Sequence, residues 1–195
     1  MQKEEMLKSL KQEIIQDNVC LKLKEGATNL VFGSGNVNAQ IMFIGEAPGK
    51  NEDLSGEPFV GAAGKLLNEL LESVKLTRED VYITNIVKYR PPQNRDPLPE
   101  EKEQFLPFLR RQIEIISPKI IITLGRHSMN CFLPGEQISK IHGIPRKMKF
   151  VLDHLKKSYK EVVFIPFFHP AAALYNGSLR KSLFLDFKIV SKYLN

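Results

Sequence analysis

The stretch IMFIGEAPG, residues 41–49, joins an uninterrupted apolar run to a loop rich in glycine and proline. Such a run predicts a short strand that is buried on both faces, because a strand with one solvated face alternates apolar and polar residues. The loop breaks the strand and leaves Glu46 directly after its carboxyl end. This arrangement is typical of a parallel sheet that is covered by helices.

Three further runs repeat the pattern, at residues 81–87, 120–124 and 162–168. The segments between the runs are long enough for the helical crossovers that parallel strands require. We therefore predict an α/β fold with a parallel sheet between helices, opened by an amphipathic helix over residues 2–16. The other predicted helices cover residues 63–74, 100–116, 126–132 and 179–194.

Functional side chains are expected at one edge of this sheet, because ligands of open α/β sheets bind at the carboxyl ends of the strands. Glu46 follows the first predicted strand, Asn85 lies near the end of the second, and His169 follows the fourth. The pattern predicts one pocket that collects these three residues.

Composition narrows the class of protein. The chain has 195 residues, of which 43% are hydrophobic, so we expect a single domain over residues 1–195. A net charge of +6 suits a polyanion such as DNA or RNA, although many proteins of this charge bind neither. The charged N-terminus resembles no signal peptide, and no apolar run is long enough to span a bilayer. We expect a soluble, cytoplasmic monomer.

Two site classes are disfavoured by the sequence. Cys20 and Cys131 are the two cysteines, and they lie far apart without the spacing of a zinc site, so no metal is expected. Gly64 and Lys65 are followed by Leu66, whereas a phosphate-binding Walker loop requires Ser or Thr there.

A basic segment follows the third predicted strand. Residues 148–161 have the periodicity of a short basic helix, which either touches DNA or covers the sheet edge. The basic residues of this region are Arg146, Lys147, Lys149, Lys156, Lys157 and Lys160.

Three motifs together resemble the family 4 uracil-DNA glycosylases. They are GEAPGKNEDLSGEPFVGAAGKLL (residues 45–67), TNIVKYRPPQNRDPLP (84–99) and FFHPAAAL (167–174), and the resemblance extends roughly from residue 31 to the C-terminus. It implies a three-layer α/β/α sandwich with a central four-stranded parallel sheet. It also implies an enzyme that flips uracil out of DNA and hydrolyses its N-glycosidic bond, leaving an abasic site.

The resemblance assigns roles to particular residues. Asn85 matches the asparagine that reads uracil, accepting from N3–H and donating to O4, and Phe59 matches the aromatic on which the extruded base stacks. His169 matches the catalytic histidine that donates to uracil O2, and Glu46 the acid that orients water. The other residues assigned to the uracil pocket are Gly45, Ala47 and Glu52.

DNA contacts are implied in the same way. The loop of residues 170–174 resembles the loop whose apolar residue enters the duplex, and residues 61–64 look like a turn that approaches a phosphate. For the arginines, a basic solvated surface explains the sequence equally well. The residues assigned to DNA are Gly61, Ala62, Ala63, Gly64, Arg90, Arg95, Pro170, Ala171, Leu174 and Arg180.

The chain departs from the family in the length of the segment between Gly143 and His169, which contains residues 148–161, and in its cluster ligands. Family members carry a four-cysteine iron-sulfur cluster, and the resemblance aligns its ligand positions with Cys20, Leu23, Tyr89 and Phe105. One thiolate does not hold a cluster that takes four. We therefore expect no cofactor and an apolar plug in place of the cluster.

Three alternatives stay open at the level of sequence. One is a superfamily relative that prefers another base, such as hypoxanthine or mismatched thymine. Another is a binder that traps uracil-containing DNA without turnover, although Tyr89 runs directly into Arg90 and leaves no room for the insert of that kind of relative. The third is a nucleotide-binding α/β module without activity on DNA.

Overall fold

The computed structural model describes residues 2–153 and 158–193, and its strands form one mixed sheet. The strands are β1 (Ser34–Gly35), β2 (Ile41–Gly45), β3 (Tyr82–Asn85), β4 (Ile120–Leu124), β5 (Arg146–Asp153) and β6 (Ser158–Phe167). Their order is β1-β3-β2-β4-β6-β5. The four central strands are parallel, as predicted, and β1 and β5 add antiparallel edges.

The register of the sheet aligns the carboxyl ends of the parallel strands. Gly45 pairs with Asn85, and Leu124 pairs with Phe167. The residues that follow these pairs therefore emerge at one edge of the sheet, where the sequence predicts the site.

Helices cover both faces of the sheet. They are α1 (Gln2–Gln16), α2 (Leu21–Gly26), α3 (Lys50–Ser55), α4 (Ala62–Glu72), α5 (Pro99–Ile116), α6 (Arg126–Asn130), α7 (Ile138–Ile141), α8 (Pro170–Ala173) and α9 (Gly177–Val190). A short 3-10 turn, Ser191–Tyr193, follows α9, and residue 194 of the predicted last helix lies outside the described residues. No helix in the described ranges is both long and apolar enough to cross a membrane.

Side-chain alternation along the strands separates two cores. Met42 and Ile44 pack with α1, α2 and α5, whereas Ile41 and Phe43 pack with α4 and α9. Successive side chains of a strand point to opposite faces, and both faces are buried here, so the strands read as continuous apolar runs. The three-layer α/β/α prediction is confirmed.

The basic segment is a hairpin, and the predicted helix over residues 148–161 is wrong. Strands β5 and β6 pair antiparallel at the sheet edge. Met148 and Phe150 lie against the core while Lys147 and Lys149 are exposed, which is the two-residue period of a strand. Residues 156 and 157 lie outside the described residues.

Candidate active site

A cavity of about 340 Å³ opens at the carboxyl ends of β2, β3 and β6. Glu46, Asn85 and His169 all line it, so the structure brings together the three residues that the strand ends predict. Of the other predicted residues, the wall includes Ala47, Glu52, Phe59, Ala63, Arg95 and Ala171. It also includes Pro48, Gly49, Pro91, Asn94 and Asp96, to which the sequence analysis assigns no role.

Asn85 presents an unsatisfied amide to this cavity. The residue is 1% exposed, and within the described ranges neither its Nδ2 nor its Oδ1 has a hydrogen-bond partner. A buried polar group without a partner costs roughly 1–3 kcal/mol. A ligand that offers one donor beside one acceptor would remove this cost.

Phe59 lines the same cavity as Asn85 and has a strained backbone conformation. Its φ is 56°, in the left-handed region, and its carbonyl oxygen accepts a hydrogen bond from Arg78 Nη1 at 3.0 Å. A second bond runs from Arg78 Nη2 to the carbonyl oxygen of Pro58 at 2.7 Å. Strain of this kind persists where surrounding contacts enforce it, so Arg78 helps to hold the aromatic wall of the cavity.

Two glycines make room for this wall. A Cβ at Gly45 would lie 2.3 Å from Asn85 Oδ1 and 2.7 Å from the Phe59 ring. A Cβ at Gly64 would lie 1.7 Å from the carbonyl oxygen of Phe59. Gly45 and Gly64 therefore serve the packing of Phe59, and Gly64, assigned to DNA by resemblance, is buried.

His169 enters the cavity as a neutral ring. Its Nδ1 accepts the main-chain N–H of Ala171 at 3.1 Å, so in the neutral tautomer Nε2 carries the hydrogen. Burial lowers the pKa of His169 to about 4. The ring lies 5.7 Å from that of Phe59, centroid to centroid. Near neutral pH, Nε2–H is thus a donor without charge.

Glu46 has a pKa raised to about 7, first by burial and then by the charge of Asp96. His127 Nε2 lies 3.8 Å from Glu46 Oε1 and 3.0 Å from Asp96 Oδ2. Burial also lowers the pKa of His127. A carboxylate that titrates near neutrality is suited to act as a base.

Glu46, Asp96 and His127 form the one cluster of potential metal ligands found in residues 2–153 and 158–193. Arg126 Nε lies 3.1 Å from His127 Nε2. The positive guanidinium therefore faces the nitrogen that would bind a metal cation, which disfavours a cation there. The expectation that the protein uses no metal stays a prediction.

His127 shows a signal that the sequence analysis missed. It stands two residues after Gly125, which follows the carboxyl end of β4. The rule that located Glu46, Asn85 and His169 therefore applies to the third strand as well. Asp96 reaches the cavity through the loop after β3, and no local pattern of the sequence predicts that path.

The family model of the Uracil DNA glycosylase superfamily matches residues 32–189. The chain belongs to this superfamily. A type-4 uracil-DNA glycosylase of Sulfurisphaera tokodaii is 50% identical over 93% of this chain and 82% of its own length. Those of Saccharolobus solfataricus and Archaeoglobus fulgidus are 50% and 46% identical, over 94% and 96% of this chain and 86% and 93% of their own lengths. The resemblance to the type-4 proteins is confirmed.

In this member of the superfamily, Glu52 holds the loop before α4. Its Oε1 accepts the main-chain N–H of Val60 at 2.9 Å and that of Gly61 at 2.8 Å. The N–H of Gly61 is therefore engaged within the protein. Helix geometry leaves the N–H groups of Ala62 and Ala63, the first residues of α4, without an intrahelical partner.

The arginines that are predicted to contact DNA form ion pairs or hydrogen bonds within the protein. Arg95 forms an ion pair with Glu101 at 2.5 Å, and Arg180 pairs with Glu69. Arg90 Nε donates to Asn94 Oδ1 at 2.7 Å. Arg95 also borders the cavity. Contact of these side chains with a phosphate stays a prediction.

Residues of the loop after His169 differ in their exposure, and Ala171 and Ala172 are exposed. Pro170 is buried, and Leu174 packs partly against the core. Tyr175, the next residue, is 97% exposed. This aromatic side chain, four residues after Ala171 of the cavity wall, is a further candidate for contact with DNA.

The positions that correspond to cluster ligands do not fit an iron-sulfur cluster. Cys20, Leu23, Tyr89 and Phe105 are all buried in one apolar core, and the rings of Tyr89 and Phe105 meet edge to face at 6.0 Å. Burial raises the pKa of the Cys20 thiol, which disfavours the thiolate that binds iron. One sulfur and three side chains without a suitable donor do not replace four thiolates.

Proposed function

We propose that this chain is a uracil-DNA glycosylase, which flips uracil out of DNA and hydrolyses its N-glycosidic bond to leave an abasic site. The observation that carries the proposal is the buried, unpartnered amide of Asn85 at the wall that it shares with Phe59 and His169. The names of the type-4 relatives support it.

Recognition follows from the donors and acceptors of the base. Uracil offers O4 as an acceptor beside N3–H as a donor, whereas cytosine offers a donor at its amino group and an acceptor at N3. The amide of Asn85 matches the uracil pair, and the Phe59 ring supplies a stacking face worth roughly 1–3 kcal/mol. Cytosine would leave the buried amide mismatched, at a cost that favours uracil.

The chemical step uses Glu46 and His169. The oxygen of a water molecule, oriented by the Glu46 carboxylate, bonds to the sugar carbon C1′ as the bond from C1′ to N1 breaks. The bonding pair stays with N1, and negative charge spreads to O2, which Nε2–H of His169 faces as a donor. The Glu46 carboxylate also stabilises positive charge on the sugar and takes the proton from the water.

The test is an oligonucleotide with one uracil, incubated with the protein and then treated with alkali. The expected result is free uracil and alkali-labile breaks at the uracil position, without breaks before alkali. Duplexes with hypoxanthine or a thymine mispair, run in parallel, should react more slowly. Absence of uracil release from single- and double-stranded substrates would overturn the proposal.

A first prediction concerns base reading by Asn85. Asn85→Ala should lower uracil excision by about 100-fold, because the donor and acceptor that match the base are lost. Asn85→Asp should also reduce it, and in its protonated form should permit slow excision of cytosine, whose N3 and amino group it matches. Single-turnover rates on uracil and cytosine substrates measure both effects. Undiminished uracil excision by Asn85→Ala would contradict the assigned role.

A second prediction concerns pH. The Glu46 pKa is raised to about 7, so the carboxylate needed to orient water is lost as the pH falls through that value. His169, with its pKa lowered to about 4, stays neutral over the same range. The single-turnover rate should therefore rise tenfold per pH unit below about pH 7 and level off above it.

The control for the pH profile is Asp96→Asn. The charge of Asp96 contributes to raising the pKa of Glu46, so its removal should shift the rising limb to lower pH. A profile that is flat from pH 5.5 to 8.5 in the wild type would show that Glu46 does not titrate in the rate-limiting step.

We also propose that the enzyme works without an iron-sulfur cluster. None of Glu46, Phe59, Asn85 and His169 needs an electron carrier for its role. The apolar packing of Leu23, Tyr89 and Phe105 beside Cys20 supports a structural replacement, since buried apolar area contributes about 25 cal/mol per Å².

A further inference from the structure

Lys88 is a fully buried lysine that contacts the main chain of Asn85, a residue of the base pocket. It is 0% exposed and lies three residues after Asn85. Its Nζ donates to Thr84 Oγ1 at 2.6 Å, to the main-chain oxygen of Asn85 at 2.8 Å, and to Gln112 Oε1. The ring of Phe32 lies 5.7 Å from Nζ.

The surrounding bonds determine the protonation state of Lys88. The Thr84 hydroxyl donates to the carbonyl oxygen of Phe32 at 2.8 Å, and Gln112 Nε2 donates to the same oxygen at 3.0 Å. The groups that face Nζ are therefore acceptors. Three acceptors require three N–H donors, which an ammonium has and a neutral amine lacks. Burial lowers the pKa of Lys88, yet the geometry uses the charged form.

Packing alone does not explain a buried ammonium group at position 88. The three acceptors are neutral oxygens, and desolvation of an ammonium is costly even when its hydrogen bonds are made. A methionine would fill the same volume without that cost. In surroundings of low dielectric, a fixed charge acts strongly on charge that develops nearby.

We propose that Lys88 is a positioning residue for uracil release: its buried ammonium anchors the main chain of Asn85 and favours the anionic form of the departing base. The proposal rests on the proposed function. The link is direct, because the carbonyl oxygen that Lys88 binds belongs to the residue whose amide faces the base. The charge thus acts from behind Asn85, without contact to the substrate.

The test compares Lys88→Met with the wild type on DNA that contains uracil or 5-fluorouracil. Fluorine withdraws electrons, so the 5-fluorouracil anion needs less help to leave. We expect Lys88→Met to lower the single-turnover rate about 100-fold on uracil and only about 10-fold on 5-fluorouracil, with DNA affinity within about twofold of the wild type. Lys119→Met, an exposed lysine before β4, is the matched control and should keep the wild-type rate.

The outcomes separate the two proposals. An equal loss of single-turnover rate on uracil and 5-fluorouracil would indicate that Lys88 only packs, and would overturn the inference. Wild-type rates in Lys88→Met would overturn it as well. Failure of the wild type to release uracil would instead overturn the proposed function. Should Lys88→Met not fold, Thr84→Val removes one acceptor at similar volume. We expect it to lose about fivefold on uracil and less on 5-fluorouracil, and equal losses would overturn the inference.

Discussion

Glu46→Gln should lower the single-turnover rate of uracil release by about 100- to 10,000-fold while DNA affinity is largely kept. The amide has nearly the shape of the carboxylate, but it carries no charge to stabilise the sugar cation and takes no proton from water. The residual rate should no longer depend on pH near 7, because the group whose pKa is raised to about 7 is gone. Rapid quenching with excess protein over labelled oligonucleotide measures the rate.

Two further variants serve as comparisons for Glu46→Gln. Glu103→Gln, on the exposed face of α5, also removes one negative charge, but outside the cavity. Its single-turnover rate should match that of the wild type. His169→Ala removes a donor to O2 and should cost about 100- to 1,000-fold. Should both Glu46→Gln and His169→Ala keep wild-type single-turnover rates, the assignment of this cavity as the active site would fail.

Phe105→Ala should lower the free energy of unfolding by about 3–5 kcal/mol. Phe105 is 0% exposed and packs against Tyr89, so its truncation leaves a cavity in this apolar core. The excision rate at moderate temperature should change far less, because Phe105 does not belong to the residues that line the cavity. Denaturant unfolding monitored by circular dichroism gives the free energy.

Phe108→Ala serves as the control, because Phe108 lies on the same helix and is only partly buried. It should cost clearly less than Phe105→Ala. A loss below about 1 kcal/mol for Phe105→Ala would contradict the packing role.

A further prediction is that a metal site can be built in the same core. The wild-type protein should be colourless and hold no stoichiometric iron. The combined variant Leu23→Cys, Tyr89→Cys and Phe105→Cys should accept an iron-sulfur cluster together with Cys20, whereas each single variant should not. Stoichiometric iron or a visible absorption band in the wild type would overturn the proposal.

Local patterns predicted the elements that bury both faces. The run of residues 120–124 is β4 without change, and residues 2–16 are α1. The helices α2, α3, α7 and α8 were missed because segments of four to six residues do not complete an amphipathic period. The strand predicted over residues 162–168 lies largely within β6, whereas the helix predicted over residues 148–161 is wrong, because the alternation of lysine with Met148 and Phe150 favours a strand.

Some residues of the candidate site are predictable from local sequence, and others are not. Glu46, Asn85 and His169 follow from strand order and from the rule that ligands bind at the carboxyl ends. His127 follows β4 and obeys the same rule, whereas Asp96 does not, because the loop that carries Asp96 returns to the cavity through non-local contacts. The roles of Arg78 and Lys88 likewise depend on carbonyl groups of Phe59 and Asn85 that only the folded chain brings to them.

By itself, the sequence determined the parallel sheet, the edge at which the site lies, and the chemical types of the residues there. Those properties depend on periodicity and on neighbours along the chain, which a sequence records directly. The folded chain adds that the Asn85 amide lacks a partner, that the pKa of Glu46 is raised to about 7, and that three oxygen acceptors face Lys88 Nζ. Each of these depends on burial and on acceptors far away in sequence, because desolvation and hydrogen bonding are set by distance in space.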